Sequence, residues 1–321
     1  MRTARIAMVQ LKNYYEDQAS GYSMAASMIT QAAVQGVELA VLPELSGCGY
    51  IPNQAIWQLA EPADGKTAQW ACELSTQLGI YIGAGFIETD GKDFYNSYLL
   101  SSPNGRICGI IRKEDAESYC FKRSRGDTYI DTDIGRIGIG ICADNHYAER
   151  LNRMKDANID FMLMPHASPA PFKTTTQISE KDLALFEQQP YVVAATYSKY
   201  LRAPTIYVNA VGSFPKVMGG FGVKSFNENF RLMGGSLITN ADGEMIVKMG
   251  SNEGYEISTI TFGTTFETPV MPSVYHGNWL HPGNTLYRYL VMPMLIRKGI
   301  RSYNKEHALY MKTSQKERIR E

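Results

Sequence analysis

The chain has 321 residues with 32 Lys and Arg against 32 Asp and Glu, so it lacks the basic excess expected of a nucleic-acid binder. Its 44% of hydrophobic residues suffices for a packed core and argues against global disorder. The sequence has no apolar stretch of 18 residues, and the apolar run 6–11 is too short for a secretion signal, so we expect a cytoplasmic protein. The five cysteines form no CxxC pair, which argues against a disulfide framework and a cysteine-based zinc site.

The first part of the chain alternates short apolar runs with longer segments of helical spacing, which is typical of strands connected by helices. Gly36 and Gly79 mark helix ends, because glycine adopts the left-handed conformation that often follows a helix. An Asn-Gly pair at 104–105 indicates a hairpin turn. In chain order we predict strand 4–11, helix 19–35, strand 37–42, helix 66–78, strand 80–87 and a hairpin of strands 98–101 and 107–112.

The second part of the chain shows a similar order of elements. We predict a hairpin of strands 128–132 and 136–142, helix 147–157, strand 159–165, helix 179–198, a hairpin of strands 235–239 and 244–249, and strand 257–262. Together these elements indicate an α/β fold in which mixed sheets carry helices on one face.

Two segments interrupt this regular order. Residues 211–235 are rich in Gly and Phe, which favours an ordered loop near a site or a subunit contact, and Phe221 in this loop is a candidate for substrate contact. Beyond 262 several prolines interrupt the pattern. We therefore predict one domain over 1–262 and an irregular C-terminal arm and tail over 263–321.

Four reactive side chains stand directly after apolar strands. Glu44, Lys113, Cys142 and His166 each end such a run. Ligands of α/β sheets bind in the crevice at the strand ends, where side chains meet solvent while a rigid backbone holds them. These positions nominate all four residues for a site.

Carboxylate, lysine and cysteine together fit nucleophilic acyl chemistry. A thiol needs a base to take its proton, and a partly dehydrated carboxylate has its pKa raised toward that task. A nearby ammonium group stabilises both the thiolate and a developing oxyanion. The sequence thus favours an enzyme with a cysteine nucleophile.

Four sequence blocks resemble the nitrilase superfamily of carbon-nitrogen hydrolases in order and content, over about residues 4–262. They are 39–50 (LAVLPELSGCGY), 95–113 (YNSYLLSSPNGRICGIIRK), 135–150 (GRIGIGICADNHYAER) and the pair 209–212 with 234–243 (NAVG and GGSLITNADG). The resemblance implies a four-layer αββα sandwich of two mixed sheets. It also implies a homodimer or higher homo-oligomer in which helix faces pair.

The resemblance implies roles for individual residues. Glu44 matches the general base, Lys113 the cationic stabiliser and Cys142 the nucleophile, and Glu117 is the best match to a second glutamate that the family often carries. The reaction implied is hydrolysis of a non-peptide C–N bond in a small amide or nitrile, or an N-carbamoyl group, through a Cys142 thioester. It requires no metal ion and no organic cofactor.

Substrate contacts are predicted around the nucleophile. Ala143 stands where the family commonly has an aromatic residue, which leaves a larger or differently shaped pocket, and its backbone N–H is a candidate oxyanion donor. Asp144 belongs to a Cys-x-Asp pattern typical of amidases and carbamoylases. Together with His166 and Phe221, these residues are the expected substrate neighbours.

Two other functions fit the same residues. His166 or His146 could act as the base for Cys142, giving a Cys-His thiol hydrolase or an acyltransferase that passes the thioester to an amine. The chain could also be a non-catalytic scaffold with a nitrilase-like fold, although intact Glu44, Lys113 and Cys142 argue against this.

The tail combines an apolar run at 286–296 with a basic segment, which fits either a membrane surface or a neighbouring subunit. Pro293 interrupts the apolar part, so we favour subunit docking over membrane binding.

Overall fold

The computed structural model describes residues 1–216, 227–263, 277, 279–281 and 285–318, except the side chains of 287 and 314–318. Phe221 and part of the predicted loop 211–235 lie outside the described residues. So do most of the prolines that follow residue 262.

The first sheet has six strands in the order β15-β1-β2-β3-β4-β5. Its central strands β1, β2 and β3 are parallel, and antiparallel strands flank them. The strands are β1 Arg2–Gln10, β2 Leu39–Val41, β3 Tyr81–Thr89, β4 Phe94–Ser101, β5 Ile107–Arg112 and β15 Gly254–Phe262.

The second sheet has six strands in the order β14-β13-β10-β8-β7-β6, with β7, β8 and β10 parallel. The strands are β6 Tyr129–Thr132, β7 Gly135–Ile139, β8 Phe161–His166, β10 Thr205–Asn209, β13 Leu237–Thr239 and β14 Met245–Lys248. The two sheets therefore share one sequence of parallel and antiparallel pairings, in which β2 corresponds to β8 and β1 to β7.

Helices cover the outer face of each sheet. They are α1 Gln18–Ala33, α2 Lys66–Leu78, α3 Ala148–Ala157 and α4 Glu180–Leu201. One apolar layer lies between the sheets, with Ile6, Val41 and Ile137 among its buried residues. Two further layers join α1 and α2 to the first sheet and α3 and α4 to the second. These layers form the predicted αββα sandwich, so that prediction is confirmed.

A small third sheet lies beside the second sheet. It joins β9 Pro169–Pro171, β11 Val211–Gly212 and β12 Phe230–Met233 in the order β11-β12-β9. This sheet was not predicted, because two of the three residues in β9 are prolines. Proline lacks the N–H of the ladder and is confined to edge strands, and β9 is such an edge.

The C-terminal segment differs from the predicted irregular arm, because Met292–Arg318 forms the long helix α5. A π-helical turn, Tyr287–Val291, runs directly into this helix, and Pro293 stands at the junction of the two. Tyr303 is buried on this helix, and its ring packs against the Trp57 indole with centroids 5.7 Å apart. Its hydroxyl donates to Asp93 Oδ1 at 3.0 Å and accepts from the Phe94 N–H at 3.2 Å.

Candidate active site

The four nominated residues come from two sheets. Glu44 and Lys113 follow β2 and β5 of the first sheet, whereas Cys142 and His166 lie at the ends of β7 and β8 of the second. The parallel pairing of Ile137 with Phe161 brings the latter two strand ends together. All four side chains are buried, with exposures between 1% and 8%.

Glu44 is held through both of its carboxylate oxygens. Oε1 accepts hydrogen bonds from Lys113 Nζ at 2.6 Å and from Asn96 Nδ2 at 2.7 Å. Oε2 accepts from the backbone N–H of Ala167 at 2.8 Å, and Ala167 directly follows β8 of the second sheet. The carboxylate therefore has one fixed orientation between the two layers.

The backbone at Glu44 requires a close approach by β3. A side chain on Gly85 would collide with the backbone of Leu45 and lie 2.9 Å from the carbonyl carbon of Glu44. Leu45 itself adopts φ +52°, a conformation that is uncommon for a leucine. The absence of a side chain at Gly85 therefore allows the backbone of Glu44 and Leu45 to pack directly against β3.

Lys113 lies between two carboxylates. Its Nζ contacts Glu44 at 2.6 Å and both oxygens of Glu117 at 3.2 Å. Burial lowers the pKa of the Lys113 ammonium, but Glu117 and Glu44 outweigh that effect and raise it well above its usual value. The two carboxylates therefore favour the charged form of Lys113.

Cys142 occupies a strained turn. It follows β7, begins a short 3-10 helix over Cys142–His146 and adopts φ +50°. Positive φ is uncommon outside glycine, and such strain concentrates at functional sites. Its sulfur lies 3.3 Å from Ser168 Oγ.

Electrostatics around the thiol favour the neutral form in the resting state. Burial, and then the negative charge of Glu44, raise the pKa of the Cys142 thiol, while Lys113 lowers it. Burial also raises the pKa of Glu44, against the lowering effect of Lys113. A carboxylate with a raised pKa beside a neutral thiol is suited to accept its proton.

Asp144 does not point into the cavity beside Cys142. Its carboxylate accepts hydrogen bonds from the backbone N–H groups of Glu114 and Asp115, the latter at 2.7 Å. Arg150, which is also buried, lies 3.8 Å from the same carboxylate. Asp144 therefore holds the loop that carries Lys113 and Glu117, instead of lining the cavity.

A cavity of about 660 Å³ opens beside Cys142. Glu117, Ala143 and His166 line it together with Cys142, whereas Glu44 and Lys113 lie behind its wall. Most of the remaining lining is apolar. These apolar residues include Phe172, Leu183, Phe186, Val193, Met233 and Met249.

Three polar residues at the site were missed by sequence reasoning. Asn96 donates to Glu44, Ser168 contacts Cys142, and Asn209 accepts the Ser168 N–H at Oδ1 at 2.9 Å. Asn96 could have been found, because it is an amide within an apolar strand and is fully buried. Asn209 ends β10 as His166 ends β8, and the two residues are register partners.

Neither a cluster of metal-ligating side chains nor a membrane-spanning helix is found in the described part of the chain. Within those residues, no three His, Cys, Asp or Glu side chains are grouped as a metal site would need. None of the described helices is long and apolar enough to cross a bilayer.

Comparison with known families identifies the chain's class. The sequence profile of the carbon-nitrogen hydrolases matches residues 5–269. The chain therefore belongs to the carbon-nitrogen hydrolase family, and the predicted resemblance is confirmed at this level.

Individual relatives carry several names within this class. A nitrilase from Pyrococcus abyssi is 29% identical over 52% of this chain and 66% of its own length. An omega-amidase from Homo sapiens is 25% identical over 81% of this chain and 89% of its own. The chain thus spans slightly less than two thirds of the nitrilase and most of the omega-amidase.

Solved structures share the fold. A carbon-nitrogen hydrolase from Helicobacter pylori aligns with a TM-score of 0.71 at 19% identity, covering 81% of this chain and 90% of that protein. An amidase from Nesterenkonia, in a form with an acetamide group bound covalently to its active-site cysteine, aligns at 0.65 and 16% identity, covering 80% of this chain and 89% of that one.

Proposed function

We propose that this protein hydrolyses the C–N bond of a small amide through a thioester on Cys142. The supporting observation is the buried arrangement of Glu44, Lys113 and Glu117, whose charges all act on the Cys142 thiol. Two further observations support hydrolysis of a C–N bond. They are the order of these residues along the chain and the match to the carbon-nitrogen hydrolase family.

In the first step Glu44 takes the Cys142 proton as the sulfur attacks the amide carbon. The tetrahedral oxyanion is stabilised by the Lys113 charge and by the backbone N–H of Ala143. Glu44 then returns the proton to the leaving nitrogen, so ammonia or an amine departs and an acyl thioester remains. Protons and charge balance within this step.

In the second step water replaces the amine. Glu44 takes a proton from the water as its oxygen attacks the thioester carbon, and the sulfur leaves as a thiolate. The thiolate regains the proton from Glu44, and the free acid is released. Lys113 stays protonated throughout because it lies between two carboxylates.

The cavity favours an apolar acyl group larger than acetyl. Its wall is dominated by aromatic and aliphatic side chains. Among the described lining residues Lys248 is the one lysine or arginine, and it stands against three carboxylates, Asp115, Glu117 and Glu187. Ala143 adds space directly beside the nucleophile, since it presents only a methyl group. An uncharged aliphatic or aromatic amide therefore matches this cavity better than a dicarboxylic amide does.

Ammonia release from a series of amides tests the activity. We expect turnover with the wild-type protein, none with Cys142→Ala and very little with Glu44→Gln, and an acyl thioester on the wild-type protein that rapid quenching traps and intact mass spectrometry detects. The adduct mass gives the acyl group directly. Substituting Glu38, an exposed carboxylate, by Gln is the matched control. Full turnover by Cys142→Ala would disprove covalent catalysis.

The acyl preference has its own test. Phe186→Ala enlarges the apolar wall and is expected to shift relative rates toward longer acyl chains by roughly tenfold, the effect of one or two methylene groups in a pocket. Leu309→Ala, an exposed site on α5, serves as the control. Equal slowing of every amide would contradict an acyl-binding role for this wall.

A further inference from the structure

A chain of hydrogen bonds leads to the sulfur of Cys142 from the side of the second sheet. Cys142 Sγ lies 3.3 Å from Ser168 Oγ, which lies 2.9 Å from His166 Nδ1. The other ring nitrogen, His166 Nε2, lies 3.0 Å from Asn145 Nδ2. Asn145 Nδ2 also lies 2.7 Å from the carbonyl oxygen of Gly140.

The direction of this chain is fixed at its far end. The carbonyl oxygen of Gly140 can only accept, so the Asn145 atom that faces it is the amide nitrogen. That NH2 group has a second hydrogen, which it donates to Nε2 of His166. Nε2 must then carry the lone pair, and the ring proton is on Nδ1.

The remaining donors follow from this tautomer. Nδ1–H of His166 donates to Ser168 Oγ, and the hydroxyl hydrogen of Ser168 then faces two acceptors, Cys142 Sγ and the Tyr207 hydroxyl. Once Cys142 is ionised its sulfur is the stronger acceptor, so the Ser168 hydroxyl donates to it. Every hydrogen bond from Gly140 to Cys142 therefore runs in one direction, with the sulfur as the final acceptor.

From this geometry we propose that Ser168 is a further catalytic residue that donates a hydrogen bond to the Cys142 thiolate, and that His166 and Asn145 are positioning residues that keep this donor aimed at the sulfur. The proposal rests on the proposed thioester mechanism. No proton moves along the chain, since the Cys142 proton goes to Glu44.

The geometry also argues against His166 as the base of a Cys-His dyad. To receive a proton at Nδ1, the ring would have to place Nε2–H against the NH2 group of Asn145. Rotating the Asn145 amide would instead set its oxygen against the Gly140 carbonyl, which leaves two acceptors in contact. Burial lowers the pKa of His166 well below its usual value, in line with a neutral ring.

A neutral donor suits the charges around the sulfur. Among the described residues, several ionisable groups act on the thiol or contact the residues of this hydrogen-bond chain. They are Glu44, Glu117, Lys113, Tyr50, Tyr207, His146 and His166. The two carboxylates disfavour the thiolate, and Lys113 is already engaged with both of them. The Ser168 hydroxyl favours the thiolate without adding charge to this cluster.

Two backbone features fix the hydrogen-bond chain from Gly140 to Cys142. Ser168 is anchored by its own N–H, which donates to Asn209 Oδ1 at 2.9 Å. Any side chain on Gly140 would occupy the space of the Asn145 amide oxygen. Gly140 is thus required for Asn145 to reach the carbonyl that fixes its orientation.

The first test measures thiol alkylation by iodoacetamide against pH, which requires no turnover. Ser168→Ala is expected to move the Cys142 profile upward by roughly one pH unit, since hydrogen bonds to charged groups are among the stronger ones. Ser168→Thr keeps the hydroxyl and is expected to restore the wild-type profile. An unchanged profile in Ser168→Ala would overturn the proposal.

The second test distinguishes a donor from a base. In His166→Asn the side-chain NH2 stands near the position of Nδ1–H, so the alkylation profile should stay close to that of the wild type, whereas His166→Phe should shift it upward as Ser168→Ala does. Equal loss of reactivity in both His166 variants would overturn the donor role.

Nitrogen NMR of the wild-type protein gives a reading that does not depend on any variant. We expect His166 to be a neutral ring protonated at Nδ1 between about pH 5 and 9; protonation at Nε2 or at both nitrogens would overturn the proposal. Failure of the thioester mechanism is recognised separately, by the absence of an acyl adduct on Cys142 of the wild-type protein quenched during turnover.

Discussion

At the scale of single residues, the site depends on charges that have been removed from water. Glu44 and Lys113 are both buried and form an ion pair at 2.6 Å. Lys113 forms a second ion pair with Glu117 at 3.2 Å. This cluster of three charges is stable only while each charge is paired, because an unpaired buried charge strongly destabilises the fold. Removing one member therefore changes the protonation of the others.

Lys113→Met tests this interdependence. The variant keeps much of the side-chain volume but loses the charge that lowers the pKa of Cys142, so we expect that pKa to rise and the rate to fall by roughly 10²–10³. Alkylation against pH and steady-state kinetics measure the two effects. Lys92→Met, at an exposed lysine, is the control, and a wild-type profile in Lys113→Met would place this lysine outside the mechanism.

Asp115 gives a prediction of stability against pH. Burial and then the charge of Asp144 raise the pKa of Asp115 from 3.8 to about 6. Between these two pH values the native state holds a proton that the unfolded chain has lost, so this residue's contribution to stability falls as pH rises through about 6.

Asp115→Asn removes this penalty. The melting temperature of the variant relative to the wild type should therefore increase between about pH 4 and about pH 6 and level off at higher pH. Asp127→Asn, at an exposed carboxylate, should show no such trend. A constant difference over this range would mean that Asp115 titrates alike in the folded and unfolded states.

The sequence predicts only part of this residue-scale picture. Glu44, Lys113 and Cys142 could be nominated because each follows an apolar strand. Asp144 was expected near substrate, but its carboxylate holds backbone N–H groups, and sequence does not show where a side chain points. Ser168 could not be found, because its contact with Cys142 depends on the pairing of β7 with β8.

At the scale of elements, local signals predict helix and strand positions well where glycine marks an end. Helix α2 has the predicted bounds, and Gly79 ends it with φ +69°. Sequence reasoning does not predict helix α5, because Pro293 interrupts the apolar run at 286–296. The burial of one face of α5 against Trp57 and Phe94 depends on residues more than 180 positions away, which local patterns cannot show.

Tyr303→Ala measures how firmly α5 is attached to the domain. The variant loses the ring contact with Trp57 and two hydrogen bonds, so we expect a loss of stability of about 3 kcal/mol or more. The urea midpoint measures it. Leu309→Ala on the same helix is exposed and should change the midpoint little. Similar midpoints for both variants would mean that α5 unfolds apart from the sandwich.

At the scale of the whole molecule, α5 bears on the predicted oligomer. Its buried face packs on its own chain, while Met294 and Leu295 are 60% and 52% exposed near the start of the helix. Exposed apolar side chains grouped in this way are typical of a protein interface. We still expect a homodimer or higher homo-oligomer in which this segment contacts a neighbouring subunit.

Met294→Glu combined with Leu295→Glu tests this expectation more cleanly than truncation after Gly283, which would also expose Trp57. The double variant should have a smaller mass in light scattering than the wild type while keeping its melting temperature. Exposed Met24→Glu on α1 is the control. Unchanged mass, or loss of binding to liposomes instead, would overturn subunit docking.

The hydrogen bond from the Ala167 N–H to Glu44 Oε2 crosses the gap between the two layers of the sandwich. The catalytic rate therefore depends on the spacing between the two layers. A displacement of about one ångström between them would misplace the Glu44 carboxylate while most of the secondary structure persists. We therefore expect enzymatic activity to be lost at a lower denaturant concentration than the helical signal in circular dichroism.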